Sequence, residues 1–240
     1  LKLEMPHVLG ADGAGVVEVL GEDVAGFAVG DRVMLNAALS CEECEFCRKG
    51  EHGMCIRLQL VGEHSHGTFA EYFSVPAVNL EKIPPSVSFE EAAAFSLVFQ
   101  TAWRMLKTRS AIQSGDTVFI HGIGGGVGSA ALHIVKLLGG CAFVSSSSDA
   151  KLMQAKAMGA DYCYNCEQPD VVREVLRETA KRGVDVVVDN VGEATWLQSL
   201  QMVRRGGKIV TCGATTGPNP KTEIRAIFWK QIDILGSTMG

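Results

Sequence analysis

Two hydrophobic periods divide this chain. In residues 1–98 the apolar positions come in short runs that alternate or stop at glycine and proline. Val16-Val17-Glu18-Val19-Leu20 reads as a strand closed by Gly21. Gly30-Asp31 is a turn leading into a strand at Arg32-Val33-Met34-Leu35, and Phe69 to Val75 alternates until Pro76. Residues 40–56 break the pattern: rich in Glu, Lys and Gly, they predict a lobe without a core of its own. Pro84-Pro85 marks a boundary loop. From Ser86 the period lengthens. Ser88 followed by Glu91 is a helix start in which each residue can cap the other, and a second helix is expected from about Gln100 to Leu106. Strands are then predicted at Thr117–His121, Ala142–Ser145, Tyr162–Tyr164, Asp185–Asp189, Lys208–Cys212 and Ile232–Leu235, with helices starting near Val127, Ala150, Val171 and Ala194. Short apolar strands joined by helices predict a doubly wound parallel sheet, so the class is α/β.

Composition narrows the reading. The chain has 240 residues, 47% hydrophobic and 20% charged, enough for one large core or two ordinary ones. No apolar run approaches the ~20 residues needed to span a bilayer. A net charge of −5, without a dense Lys/Arg block, argues against a nucleic-acid or anionic-membrane partner. Cys41, Cys44, Cys47 and Cys55 are clustered, whereas Cys141, Cys163, Cys166 and Cys212 are scattered through apolar segments. This usage points to a metal rather than a disulfide framework, and to a reducing, cytoplasmic compartment. The chain opens on Leu1 and closes just after an apparent strand, so it is expected to be part of a longer protein.

The strand Val118-Phe119-Ile120-His121 runs into Gly122-Ile123-Gly124-Gly125-Gly126-Val127-Gly128 and then an Ala-rich helix. Strand, tight turn and helix N-terminus set backbone N–H groups against a pyrophosphate, which side chains would block. A lone glycine run is weak evidence. This one opens the α/β pattern, which makes residues 99–240 a Rossmann-type dinucleotide-binding domain. Cofactor contacts are expected from Gly124, Gly125, Gly126, Val127 and Gly128, and from Asn190, Val191, Gly192 and Gly213 at later strand ends. An NAD site usually carries an acid about 20 residues after the turn. Here Ser145-Ser146-Ser147-Ser148 stands there, followed by Asp149-Ala150-Lys151. Ser146, Ser147, Ser148 and Lys151 suit a phosphate, which favours NADP(H) over NAD(H); the alternative is a solvated serine loop.

The spacing Cys41-x2-Cys44-x2-Cys47-x7-Cys55 supplies four thiolates from one short lobe. Closed four-sulfur coordination suits one structural Zn2+ with no open position for chemistry. An iron–sulfur cluster is the competing reading, but its fourth cysteine normally follows after three residues and precedes proline. Here Ile56 follows Cys55. Four free cysteines in so polar a segment are disfavoured.

Further signals join these: Pro6-His7-Val8-Leu9-Gly10, Gly13-Ala14-Gly15-Val16-Val17, Gly30-Asp31-Arg32-Val33, Gly67-Thr68-Phe69-Ala70-Glu71-Tyr72, Lys151 with Gly159-Ala160-Asp161, and Gly206-Gly207-Lys208-Ile209-Val210. With them the whole chain resembles the zinc-type medium-chain dehydrogenase/reductase superfamily, the alcohol dehydrogenase and quinone oxidoreductase relatives. The resemblance implies a partial GroES-like β-rich catalytic domain over 1–98, with its structural-zinc lobe at 40–56, a Rossmann domain over 99–240, and a substrate cleft between them. It implies NAD(P)H-dependent hydride transfer to or from a carbonyl or alcohol, a quinone or an activated alkene. The partners would be a small-molecule substrate and a second copy, in a homodimer or homotetramer paired near Ile232–Leu235.

Two departures matter. Family alcohol dehydrogenases place a catalytic-zinc His after the glycine that matches Gly10, and a Cys four residues before the threonine that matches Thr101. This chain has Ala11 and Leu97, which cannot ligate, so the expectation is structural zinc without catalytic zinc. The turn, with Ile123 in place of its first glycine, resembles the quinone oxidoreductase branch. There a Tyr near the position of Cys166 helps hold the 2′-phosphate, and its absence tempers the NADP(H) preference.

Without a catalytic zinc the proton must come from a side chain or water. His64 and His66 are the candidate donors near neutral pH, with surface-loop histidines as the equal alternative. Asp12 is either an acid or a turn residue, and His121 is expected to pack near the cofactor. Two function classes follow: an NAD(P)H-dependent oxidoreductase, or a non-catalytic nucleotide-binding redox sensor or crystallin-like protein. A zinc-ribbon nucleic-acid binder is disfavoured by charge and by the Rossmann half.

Overall fold

The computed structural model describes residues 5–168 and 170–239. It has two compact units, Leu1–Gln100 with Met239–Gly240, and Thr101–Thr238.

The first unit holds β1 (Ala14–Val16), β2 (Arg32–Leu35), β3 (Ala38–Leu39), β4 (Gln59–Leu60) and β5 (Leu80–Lys82). β2 pairs antiparallel with β1 on one side and β5 on the other, and β3 pairs with β4. Val33 and Leu35 point inward from β2, giving the alternation of a half-covered strand. Leu35, Ala37 and Val61 form a small core, against which Phe73, Val75 and Leu80 pack.

Two predicted strands change here. The one read over Val16–Leu20 lies earlier, at Ala14–Val16. Its register with β2 ends at the pair Val16–Arg32, so Val19 has no ladder to join and stays exposed. Phe69–Val75 is not a strand at all. The N–H groups of Gly67, Thr68 and Phe69 donate to the carbonyls of Val8, Gly10 and Leu9. Phe69 and Tyr72 remain exposed, and an alternating sequence becomes a strand only where another strand offers a ladder.

α1 (Phe89–Trp103) follows. Its start is the expected reciprocal cap: Glu91 N–H donates to Ser88 Oγ at 3.1 Å, and Ser88 N–H to Glu91 Oε2 at 2.8 Å. The separate helix expected over 100–106 is instead its continuation. No glycine or proline interrupts residues 89–109, so the helix runs on and widens into a π turn over Arg104–Arg109.

The second unit comprises β6 (Thr117–Ile120), α2 (Gly126–Leu137), β7 (Cys141–Ser146), α3 (Asp149–Ala157), β8 (Tyr162–Asn165), α4 (Val171–Glu178), β9 (Val184–Val188), α5 (Trp196–Met202), β10 (Val203–Thr211), α6 (Ile224–Lys230) and β11 (Asp233–Gly236). The sheet order is β11-β10-β9-β6-β7-β8, and every neighbouring pair is parallel. All of β9 is buried, as expected of a strand covered on both faces. Phe119, Phe143, Val187, Leu200, Met202 and Ile209 form the core. β10 starts earlier than the predicted Lys208: Val203 pairs with Val184, and the register is interrupted before Lys208 resumes opposite Val186. α6, absent from the sequence reading, is a short helix with no buried residue. No helix among the described residues is long and apolar enough to cross a membrane.

Candidate functional site

The Rossmann unit gathers its candidate residues at the carboxyl ends of β6, β7, β9 and β10, which are neighbours in the sheet. After β6 the chain turns through Gly122, whose φ of +69° favours glycine, to Gly125, the residue that caps α2. The first intrahelical bond there is Ser129 N–H to Gly125 O, so the N–H groups of Gly126, Val127 and Gly128 have no acceptor within the helix. They face outward with the positive end of the helix dipole. A Cβ on Gly124 would collide with Lys151 Cδ and sit 2.9 Å from Lys151 Nζ. On Gly128 it would meet Gly122 O at 2.8 Å. Glycine is thus needed at position 128 for the turn to close against backbone, whereas at Gly124 the neighbour is the Lys151 side chain, which lies directly over the turn.

Ser146, Ser147 and Ser148 end β7 and open α3. Ser148 Oγ accepts from Lys151 N–H, and Ser146 Oγ accepts from Ser148 N–H at 3.1 Å. Both bonds use oxygen lone pairs, leaving each hydroxyl hydrogen free to donate outward. Ser147 is exposed. At the end of β9, Val191 reaches to within 3.5 Å of where a Cβ on Gly122 would be, and Gly213, after β10, comes against Asn190 O. Asn190 Oδ1 is buried without a hydrogen-bond partner. An orphan acceptor of this kind suits a donor on a bound molecule.

Beneath these loops lies a polar chain that the sequence did not reveal. His121 is 1% exposed. Its Nε2 is 3.1 Å from Ser199 Oγ, whose own hydrogen goes to Asp189 Oδ2 at 2.7 Å. With that hydrogen spent, His121 must donate from Nε2 and accept at Nδ1, where Ser145 Oγ lies 3.5 Å away. Burial pushes the imidazole down to about 4, against the opposing pull of Asp189. Asp189 also accepts from Val191 N–H at 3.0 Å, Gly192 N–H at 3.1 Å and Thr195 Oγ1 at 2.8 Å. The chain therefore fixes the loop that carries Asn190, Val191 and Gly192. Only the placement of His121 beside the turn was legible; Ser145, Ser199 and Asp189 share no spacing that signals a network.

In the first unit the sulfur atoms of Cys41, Cys44, Cys47 and Cys55 all lie within 4.8 Å of one another. Two of the separations are 3.5 Å and 3.9 Å. A tetrahedron with ~2.3 Å zinc–sulfur bonds has edges of about 3.8 Å, so the donor set fits the ion in size as well as chemistry. Two short helical turns, Cys47–Lys49 and His52–Met54, bend the lobe around the sulfurs. The Glu43 N–H is the largest influence on the Cys41 thiol and holds it down to about 6. Burial, then the neighbouring sulfurs, push Cys47 up to about 12. Crowded sulfurs resist ionising together unless a cation sits between them.

The candidate proton donors are held one by one in the loop after β4. His64 Nδ1 accepts from Leu60 N–H at 3.1 Å, and His66 Nδ1 accepts from Val8 N–H at 3.2 Å. The His66 ring centroid is 5.4 Å from that of His7. Both are exposed, and each keeps Nε2 for the outside. Partial burial raises the Asp12 carboxyl.

Comparison with known proteins gives this arrangement a family. Residues 1–85 match the alcohol dehydrogenase GroES-like domain and residues 126–240 the zinc-binding dehydrogenase domain. The chain is 34% identical over 240 residues to a sorbitol dehydrogenase of Bacillus subtilis, covering 98% of this chain and 66% of the relative. It is 33% identical over 242 residues to an alcohol dehydrogenase of Geobacillus stearothermophilus, covering 100% and 70%. Among solved structures, an NAD-dependent alcohol dehydrogenase superposes with a TM-score of 0.96 at 44% identity, covering 99% of this chain and 69% of that one. A Pseudomonas syringae quinone oxidoreductase gives 0.78 at 32%, covering 97% and 64%. The chain belongs to the zinc-type medium-chain dehydrogenase/reductase superfamily, and it spans about two thirds of the length of these relatives.

Proposed function

We propose that this chain is the greater part of an NADP(H)-preferring oxidoreductase that moves a hydride to or from a carbonyl or alcohol, a quinone or an activated alkene. The observation that carries this reading is the turn after β6, where free N–H groups of Gly126, Val127 and Gly128 and the Lys151 amine converge on one glycine cradle. A bound nicotinamide would supply or accept the hydride. The chain's own work is to hold the pyrophosphate at the α2 N-terminus, to place the ribose phosphate against Ser146, Ser147, Ser148 and Lys151, and to offer Asn190 Oδ1 as an acceptor. Val191, Gly192 and Gly213 leave room beside it. In this reading Cys41, Cys44, Cys47 and Cys55 hold one structural Zn2+ as thiolates, and a reducing cytoplasmic setting keeps them from forming disulfides. Ala11 and Leu97 offer no metal ligand, so the proton comes from His64 Nε2, His66 Nε2 or water. A second copy of the chain is the expected partner.

The same two residues favour the second reading, a nucleotide-binding redox sensor or crystallin-like protein without turnover. NADPH oxidation against a panel of quinones, aldehydes and activated alkenes, beside NADPH binding by fluorescence, separates the readings. Turnover supports the enzyme, and binding without turnover supports the sensor. Absence of NADPH binding sinks both.

A further inference from the structure

At the opposite end of the Rossmann sheet from the glycine turn, the amino ends of β9 and β10 open onto a cavity of about 620 Å3. It is lined by Lys181, Arg182, Arg204, Arg205 and Lys230, together with Leu176, Gln201 and Val203. Nothing in the proposed redox chemistry uses it, because the cofactor residues all lie at the carboxyl ends.

The cations are held there by the fold. Between Val203 and Lys208 the β10 ladder is irregular, and residues 204–206 bow out with Gly206 at a φ of +63°. Gly207 is pressed close: a Cβ there would sit 2.6 Å from Val203 Cγ2 and 3.0 Å from Asp185 O. Such bulges re-aim side chains, and this one turns Arg204 and Arg205 to the cavity. The buried Asp185 fixes two of the arginines. Arg182 grips it bidentately at 2.6 Å and 3.0 Å, and Arg204 Nε donates to it at 2.6 Å. Burial works against the Asp185 carboxylate, but Arg182, Thr117 and Arg204 hold it well below the usual range.

That single carboxylate is shared by two guanidiniums and lies beneath them. Among the described residues Lys181, Arg205 and Lys230 make no ion pair. Lys230 Nζ is tied to the carbonyls of Leu200, Gln201 and Val203 at 2.8–3.0 Å. Burial, and then the neighbouring Arg205 charge, lower its proton affinity. Arg205 donates to Trp229 O and keeps its remaining donors free. A second carboxylate, Asp116, also acts on Arg182, and one of its oxygens is taken by Gln113 N–H at 2.8 Å. The five lining cations still outnumber the two acids. Fixed cations in excess of carboxylates, around a cavity within the ~300–1,000 Å3 of small-molecule sites, are what a multiply charged anion requires.

We infer that this cavity binds a small polyanion carrying two or three phosphate groups, at a site separate from the dinucleotide turn. The inference does not rest on the redox reading, and the two are tested at different residues.

Inorganic pyrophosphate titrated into the 15N-labelled chain is the test, because amide shifts report each location separately. Saturable shifts are expected at the amides of Lys181, Arg182, Arg204 and Arg205, besides any at Gly124–Gly128. The pair Lys181→Gln with Arg205→Gln should weaken the first set about tenfold or more and leave the second unchanged. Arg205→Lys, which keeps the charge, should retain most of the binding and guards against a mere folding defect. Shifts confined to Gly124–Gly128, or an unaltered affinity in the double variant, overturn the inference.

Discussion

His121 stays neutral because Ser199 and Asp189 leave it one donor and one acceptor role and burial denies it a second proton. This has a consequence for stability. Its folded value is about 4 and its ordinary one 6.5. Above the upper value neither state binds the proton, and the native arrangement is at full strength. As pH falls from 6.5 towards 4 the unfolded chain takes up a proton that the folded one refuses. Stability therefore drops by roughly 3 kcal/mol and levels off below. Denaturant unfolding at a series of pH values should show this slope, and His121→Gln should flatten it; an equal slope in the variant rules the residue out. Lys151 acts instead through charge. Lying over Gly124 beside Ser146 and Ser148, its amine would contribute about 1.5–3 kcal/mol to a bound 2′-phosphate under the proposed reading. NADPH should bind more tightly than NADH by calorimetry, and Lys151→Ala should narrow the gap. Tighter NADH binding in the parent would falsify the preference.

Among the elements, the cysteine lobe depends most on one event. Cys44, Cys47 and Cys55 are the buried residues of its cluster, with Phe46 and Leu58 alongside. Ligands rather than apolar area must hold such a lobe. Cys44→Ser should lose one zinc per chain by metal analysis and raise hydrogen exchange over 40–56, while β6 to β11 keep their protection. Two zincs per chain, or iron with sulfide, would contradict the assignment.

What could be read from sequence at this scale follows from range. The Ser88–Glu91 cap, β2 and the strands of the parallel sheet are fixed by neighbours or by continuous burial, and both leave a periodic trace. Phe69–Val75 misled because alternation says nothing about whether a partner strand exists. α6 escaped because its seven residues are too few for the spacing of Ile224, Ile227 and Phe228 to stand out as a period, although Ile227 packs against the core. Of the candidate site, the glycine turn and the four cysteines were legible as contiguous spacing. The Ser145–His121–Ser199–Asp189 chain and the basic cavity were not, because they join residues that only the sheet brings together.

For the whole molecule, β11 is the exposed margin of the six-stranded sheet, bonded on one side to β10. Ile234 on it, and Phe228 and Trp229 on the preceding helix, are exposed. An apolar strand edge beside an apolar helix favours pairing with a copy of itself. Light scattering at micromolar concentration should give a dimer or a dimer of dimers, and Ile234→Lys should shift it towards monomer. A monomeric parent protein would count against the edge as the contact.

The strand order also sets a timetable. β6 is flanked in space by β7, its successor in sequence, and by β9, with Val118 opposite Val186. As the chain leaves the ribosome, β6, β7 and β8 can assemble at once, but the other margin of β6 has no partner until β9 is made. At ~5–20 residues per second that delay lasts seconds. Throughout it Val118, Phe119 and Ile120, wholly enclosed in the finished protein, present a bare apolar ledge. The strand that carries the glycine turn is thus also a segment open, for those seconds, to capture by a chaperone or by another nascent chain.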